Sequence, residues 1–198
     1  MASIVEGDGE VQAVPILLRR LNDWKPGDTY VTPMTPIKVR RDRFLNRDDE
    51  FNKYVLLAVA KCGADGWVLI LLDADDDCPA TLGARVLHRV QGITPHARVS
   101  VVVANREYEA WFIAASASLD GKRGFVRGAD PVADPERPRD AKGWISSRIQ
   151  SGRYRETTDQ PAFTAIFDMQ QAFKGCRSFR KLCSEWVRHA GVGMAPAE

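Results

Sequence analysis

Three short stretches hold the acidic residues on which this sequence could build a reaction. Glu6 and Glu10 bracket a glycine turn, Glu6-Gly7-Asp8-Gly9-Glu10; Asp73, Asp75 and Asp77 alternate directly after the apolar run Trp67 to Leu72; Glu107 and Glu109 follow the apolar run Val99 to Val103. Two carboxylates about 4 Å apart repel by roughly 4 kcal/mol at an effective dielectric near 20, so a gathering of four must be protonated, splayed into water or neutralised by a cation. All-oxygen ligands without histidine or thiolate favour Mg²⁺ or Mn²⁺ over zinc. Such an ion commonly bridges protein to phosphate oxygens and activates a water for in-line displacement. A strand period of two predicts Asp73 and Asp75 on one face just beyond the sheet, with Asp77 close by as a further ligand. Glu107 and Glu109 lie about 200° apart on a helix, so at most one of them faces the site. The competing reading makes Asp75 to Asp77 a solvated turn capping the helix near Pro79, with Glu6 and Glu10 as helix-start residues favoured by the dipole.

The elements that must position these residues follow from periodicity. Ser3-Ile4-Val5 reads as a short strand, and Val11, Val14, Leu17, Leu18 and Leu21 as the apolar stripe of a helix ending at Pro26-Gly27. Pro15 predicts that this helix begins late or is kinked in its first turns. Ile37-Lys38-Val39, preceded by Pro33 and Pro36, suits a short edge strand. Asp48-Asp49-Glu50 starts a second helix that carries Phe51, Tyr54, Val55, Ala58 and Val59 and stops at Gly63. Trp67 to Leu72 is apolar throughout, as a strand covered on both faces would be. A helix over Pro79 to Val90, a strand over Val99 to Val103 and a helix over Arg106 to Ser118 complete an α/β alternation with a mostly parallel sheet flanked by helices. From Asp120 to Gln160 the pattern gives way to Gly, Pro, Arg and Asp, with one helical stretch near Ala141 to Ile149; Ala162 to Arg188 then reads as helix broken at Gly175, with Ser178 as an N-cap. The expected organisation is a core over residues 1–119 and a loop-rich, helical extension over 120–198 packed on it.

Length and composition narrow the function classes. The 198 residues are 44% hydrophobic and 27% charged, ordinary globular usage, and 28 Lys and Arg against 26 Asp and Glu leave a formal charge of +2. No apolar run reaches the roughly 18 residues of a membrane span, and Met1 to Glu10 lacks the regions of a secretory signal, so a soluble cytoplasmic protein with no membrane partner is expected. Cys62, Cys78, Cys176 and Cys183 contain no C-x-x-C pair and His88, His96 and His189 are scattered, which argues against structural zinc.

The ordered set of Val5-Glu6-Gly7-Asp8-Gly9-Glu10, Asp73-Ala74-Asp75-Asp76-Asp77 and the passage Val101 to Trp111 resembles the Toprim domain, and more narrowly the small stand-alone Toprim-like proteins of bacteria. The likeness covers Ser3 to about Leu119, with Ser178-Phe179-Arg180-Lys181-Leu182 as a further likeness. It implies a Rossmann-like sheet in which the first strand lies beside the Trp67 to Leu72 strand. It also implies that Glu6, Asp73 and Asp75 hold Mg²⁺ for phosphodiester chemistry, that Glu10 matches the acidic position after the glycine turn in the nuclease branch, and that Glu109 matches that branch's later acidic residue. The chain lacks an outstanding tyrosine nucleophile and a G-x-x-x-x-G-K-[ST] loop, so any ATPase partner would be a separate polypeptide. The resemblance implies a metal-dependent nuclease acting on DNA or RNA, in defence against mobile DNA.

Substrate would be held by cations. Arg40 and Arg41, then Lys122, Arg123 and Arg127, then Arg180 and Lys181 stand in three basic clusters suited to phosphates, and Trp144 and Tyr154 sit among arginines in a mix suited to stacking bases. Each cluster is equally readable as a solvated face, and the aromatics as anchors of a loop to the core. Two other functions fit the same residues: a non-catalytic subunit that recruits a partner ATPase or nuclease through residues 120–160, and a phosphoryl-transfer enzyme built on strand-end aspartates.

Overall fold

A computed structural model describes residues 1–128, 134–150 and 152–191. The remainder of the expected extension, residues 129–133, 151 and 192–198, lies outside the described residues. Strands β1 (Ala2–Val5), β2 (Ile37–Lys38), β3 (Trp67–Asp73) and β4 (Arg98–Ala104) form one parallel sheet in the order β2-β1-β3-β4. The register pairs Ile4 with Ile37 and with Ile70, and runs β3 against β4 from Trp67–Arg98 to Asp73–Ala104. The fold is therefore α/β with helices on both faces, and β1 lies beside β3.

Alternation along the strands divides the interior. Val5, Trp67, Leu69, Leu71, Val102 and Ala104 point to one side; Ile4, Val68, Ile70, Leu72, Val101 and Val103 point to the other. The second side is covered by α2 (Arg41–Asn46), α3 (Asp48–Cys62) and α4 (Pro79–Ile93), through Phe44, Phe51, Val55, Val86 and Val90 among others. The first is covered by α1 (Asp8–Trp24) together with α5 (Ala110–Ala114), α6 (Ser116–Leu119), α7 (Ala141–Ser146), α8 (Glu156–Ile166), α9 (Met169–Gly175) and α10 (Arg177–Ala190). The C-terminal third thus supplies much of the layer that buries this face of the sheet. Among the described residues, no helix is long and apolar enough to cross a membrane.

Three local expectations are corrected. Helix α1 starts at once, at Asp8, and carries Pro15 inside it, so the missing amide falls within a helix whose buried stripe of Ala13, Val14, Leu17, Leu18 and Leu21 holds it to the sheet. The helix expected from Arg106 begins only at Ala110, because Glu107 to Glu109 form a turn at the end of β4 and Arg106 takes a positive φ of 65°. Ser178 is inside α10, not its N-cap; Cys176 holds that position.

An acceptor from a distant loop caps α10 instead. Buried Glu136 accepts from the Ser178 amide at 3.1 Å and from its hydroxyl at 2.7 Å, and Ser178 Oγ in turn accepts from Trp111 Nε1 at 2.9 Å. This chain of bonds ties α10 to α5 in the core. Glu136→Ala would leave buried donors unpaired and should lower the unfolding free energy by about 2 kcal/mol, read from urea denaturation.

Candidate functional site

Helix α1 follows β1 on one face of the sheet and α4 follows β3 on the other, so the chain parts between these neighbouring strands and leaves a crevice beyond their C-terminal ends. Glu6 stands at the end of β1 and Asp73 at the end of β3. Glu6 Oε1 accepts from the Asp73 amide at 2.5 Å, and Asp73 Oδ1 accepts from the Tyr108 amide at 2.8 Å. Backbone donors from β3 and from the turn after β4 thus fix the two carboxylates, which stand at the ends of β1 and β3.

Glu10 and Glu109 lie behind them, both buried. Glu10 Oε2 accepts from the Gly7 amide at 2.5 Å and so satisfies the N-cap donor of α1. Gln160 of α8 joins the pair: its Nε2 donates to Glu10 Oε1 at 3.0 Å and to Glu109 Oε1 at 3.2 Å. Glu109 Oε1 also accepts from the Tyr154 hydroxyl at 2.9 Å, while Glu109 Oε2 is buried with no hydrogen-bond partner. Gly9 lets Gln160 in, since a Cβ there would stand 1.9 Å from Gln160 Oε1.

Crowding of carboxylates shows in their protonation. Burial, against the pull of the Asp73 amide and Arg41, pushes Glu6 up to about 7. Burial pushes Glu109 up to about 8, with Lys142 and Tyr154 opposing and Glu10 adding. Loss of water, then the charges of Glu109, Glu6 and Glu10, raises Asp73 well above the usual range.

The outer aspartates are handled differently. The strand ends at Asp73, and Asp75 takes a positive φ of 50°, so the period of two breaks and Asp75 turns out to solvent. Arg41 lies over the turn: it donates to the Asp73 carbonyl at 3.1 Å and to Asp77 Oδ2 at 2.7 Å, and its Nη1 is 3.3 Å from Asp75 Oδ2. Asp76 pairs with Arg106 at 2.6 Å and with Arg139 at 3.4 Å. Of the expected cation ligands, Glu6, Asp73 and Glu109 gather with Glu10, and Asp75 and Asp77 form an outer rim on Arg41, whose Nε also lies 4.0 Å from Glu6. Among the described residues no three His, Cys, Asp or Glu side chains stand close enough to hold a metal ion by themselves.

Several members of the basic clusters are already engaged. Arg41 belongs to the acidic rim; Arg40 is exposed beside it. Lys122 is exposed, Arg123 pairs with Asp159 at 3.2 Å, and the Arg127 amide donates to Asp120. Arg180 donates to the Phe173 and Lys174 carbonyls at the end of α9, and Lys181 pairs with Glu185. Tyr154 is buried against Phe163 and bonded to Glu109, and Arg148 lies over the Trp144 ring, so neither aromatic presents a free face of the kind that base stacking requires.

Lys142 is the residue that sequence reasoning missed. Its Nζ lies 3.4 Å from Glu156 and 3.9 Å from Glu107, and Glu107 accepts from its amide at 3.1 Å. Burial alone would lower this ammonium's pKa, but Glu109, Asp73, Glu156 and Glu107 outweigh that and raise it, so it stays charged. The pair that shared a helix in the sequence reading is therefore split in a turn: Glu109 faces the buried carboxylates and Glu107 holds the start of α7. A lone lysine in a short helix carries no motif that could have placed it here.

A carboxyl whose pKa is raised by folding keeps a proton that the unfolded chain has lost, so stability falls as pH rises through the folded value. From about pH 6.5, where His189, held down to about 4 chiefly by burial, no longer takes a proton, the melting temperature should fall to about pH 8 and level off above it, once Glu6 and Glu109 are ionised in the folded chain as well as in the unfolded one. Glu109→Gln should flatten that decline in a calorimetric pH series, with each kcal/mol recovered worth roughly 2–4 °C.

No curated protein and no solved structure matches this chain. The crevice carboxylates and the helices that brace them nevertheless lie within one matched span: residues 5–185 fit the family model described as a domain of unknown function, DUF4276, and the chain belongs to that family.

Proposed function

We propose that this protein is a Toprim-like nuclease that hydrolyses phosphodiesters of DNA or RNA with Mg²⁺ or Mn²⁺. The observation that carries the reading is the meeting of Glu6 and Asp73 beyond adjacent parallel strands, each held by a backbone donor through one oxygen. Mg²⁺ usually binds through one or two carboxylates and completes its shell with water and substrate phosphate, so two ligands suffice where three do not gather. The oxygen-only donor set and the unpartnered buried Glu109 Oε2 both fit a cation at this place. Bound there, the ion would polarise the phosphoryl group and lower the pKa of an attacking water.

The chain's own groups do the rest. Glu6 and Asp73 would hold the ion, and the amides of Asp73 and Tyr108 fix their orientation. Glu10, with both oxygens engaged, is a positioning residue that locks the Gly7 turn to Gln160. Glu109 and Tyr154 close the site from behind and exclude water, and Lys142 stays protonated to offset negative charge as phosphate enters.

Calorimetric titration with Mg²⁺ on the wild type and on Glu6→Gln/Asp73→Asn, followed by cleavage assays on DNA and RNA, tests this. Binding should vanish in the variant and cleavage should fall by about 100-fold or more, the scale of removing a main electrostatic group from a site. Retained cleavage overturns the reading. Metal binding without cleavage would point instead to a subunit that serves a separate ATPase or nuclease, a role favoured by the arginine pairing of Asp75 and Asp77.

A further inference from the structure

Beside the carboxylates, on the β2 side, lies a groove of about 520 Å³ whose lining includes Lys38, Arg40, Arg43, Lys53 and Tyr54. The Val39 amide donates to the Val5 carbonyl at 2.8 Å, which places one wall of this groove beside the residue that precedes Glu6. Consecutive arginines link the two places: Arg41 turns into the acidic rim, and Arg40 lines the groove. Two of the cations are already matched, Arg43 by Glu50 at 3.0 Å and Lys38 by Asp8 at 2.7 Å. Arg40 and Lys53 have no ion pair among the described residues, and Lys53 stands 5.4 Å above the half-buried Tyr54 ring. Asp49, which also lines the groove, leaves it with surplus positive charge.

Free cations beside an aromatic ring, next to the site proposed for phosphodiesters, match how single strands are bound once Lys53 leaves the face of Tyr54 for a phosphate: phosphates on the cations, a base on the ring. A duplex keeps its base faces stacked inside and has nothing to offer Tyr54. We infer that this groove holds the backbone of a single-stranded nucleic acid and feeds it to Glu6 and Asp73. The inference rests on the nuclease reading for its direction but not for its test.

Fluorescence anisotropy with labelled single-stranded DNA and RNA of about 12 nucleotides, in EDTA so that no metal-dependent cutting intervenes, reads the groove directly. Arg40→Glu/Lys53→Glu should weaken binding at least tenfold and reduce the salt slope by about 1.4, the value for two phosphate contacts on a single strand. Tyr54→Ala should weaken binding without changing that slope, and Lys174→Glu, on α9, should leave affinity unchanged. No binding by the wild type, equal binding by the double charge variant, or tighter binding of duplex than of single strand would each overturn the inference. Groove-dependent binding with no cleavage on adding Mg²⁺ would leave it standing and remove the nuclease reading alone.

Discussion

Four carboxyl groups share the space beyond β1, β3 and β4, and much of the structure around them answers the repulsion that results. Each is held by donors it cannot easily lose: Glu6 by the Asp73 amide, Asp73 by the Tyr108 amide, Glu10 by the Gly7 amide, and Glu109 by Tyr154 and Gln160. Charge is further reduced by protonation, with Glu6 and Glu109 raised to about 7 and 8 by burial, and by the neighbouring Lys142 ammonium. Such an arrangement persists only because the rest of the fold over-determines it.

That dependence explains the C-terminal helices. Helix α8 packs along α1 and delivers Gln160 against Gly9, where a glycine is needed for the close approach. The stretch around α7 delivers Lys142, and Tyr154 follows it before α8. These residues are far from Glu6 and Asp73 in the chain, yet without them Glu109 loses its hydrogen-bond donors and Glu10 keeps only the Gly7 amide. The buried aromatic cluster of Tyr108, Trp111, Phe112, Phe163, Phe167 and Phe179 fixes the turn after β4 to the same helices.

Outside this buried group the charges are paired in the open. Arg41 spans Asp75 and Asp77, and Arg106 and Arg139 hold Asp76; the aspartates are exposed while Arg41 and Arg106 are half-buried, so pairing contributes little to stability. Their consequence is electrostatic shape: a neutralised rim around a buried acidic floor, with unmatched cations to one side.

By itself the sequence determined the strands, the helices that alternate with them and the delivery of acidic residues past three strand ends, because hydrophobic period and strand-end position are local properties. It also singled out Glu6, Asp73 and Glu109, although nothing in their spacing required them to meet. Only the tertiary structure decided that Asp75 leaves the group, since a left-handed backbone after Asp73 ends the strand's alternation. Arg41 became a counter-ion rather than a free phosphate contact because β2 pairs with β1 and carries it over the turn. Lys142 and Gln160 were invisible, and Tyr154 was readable only as a stacking or anchoring aromatic, for the same reason: their role is a matter of which distant element packs where, and a buried charge selects its partners through space, not along the chain.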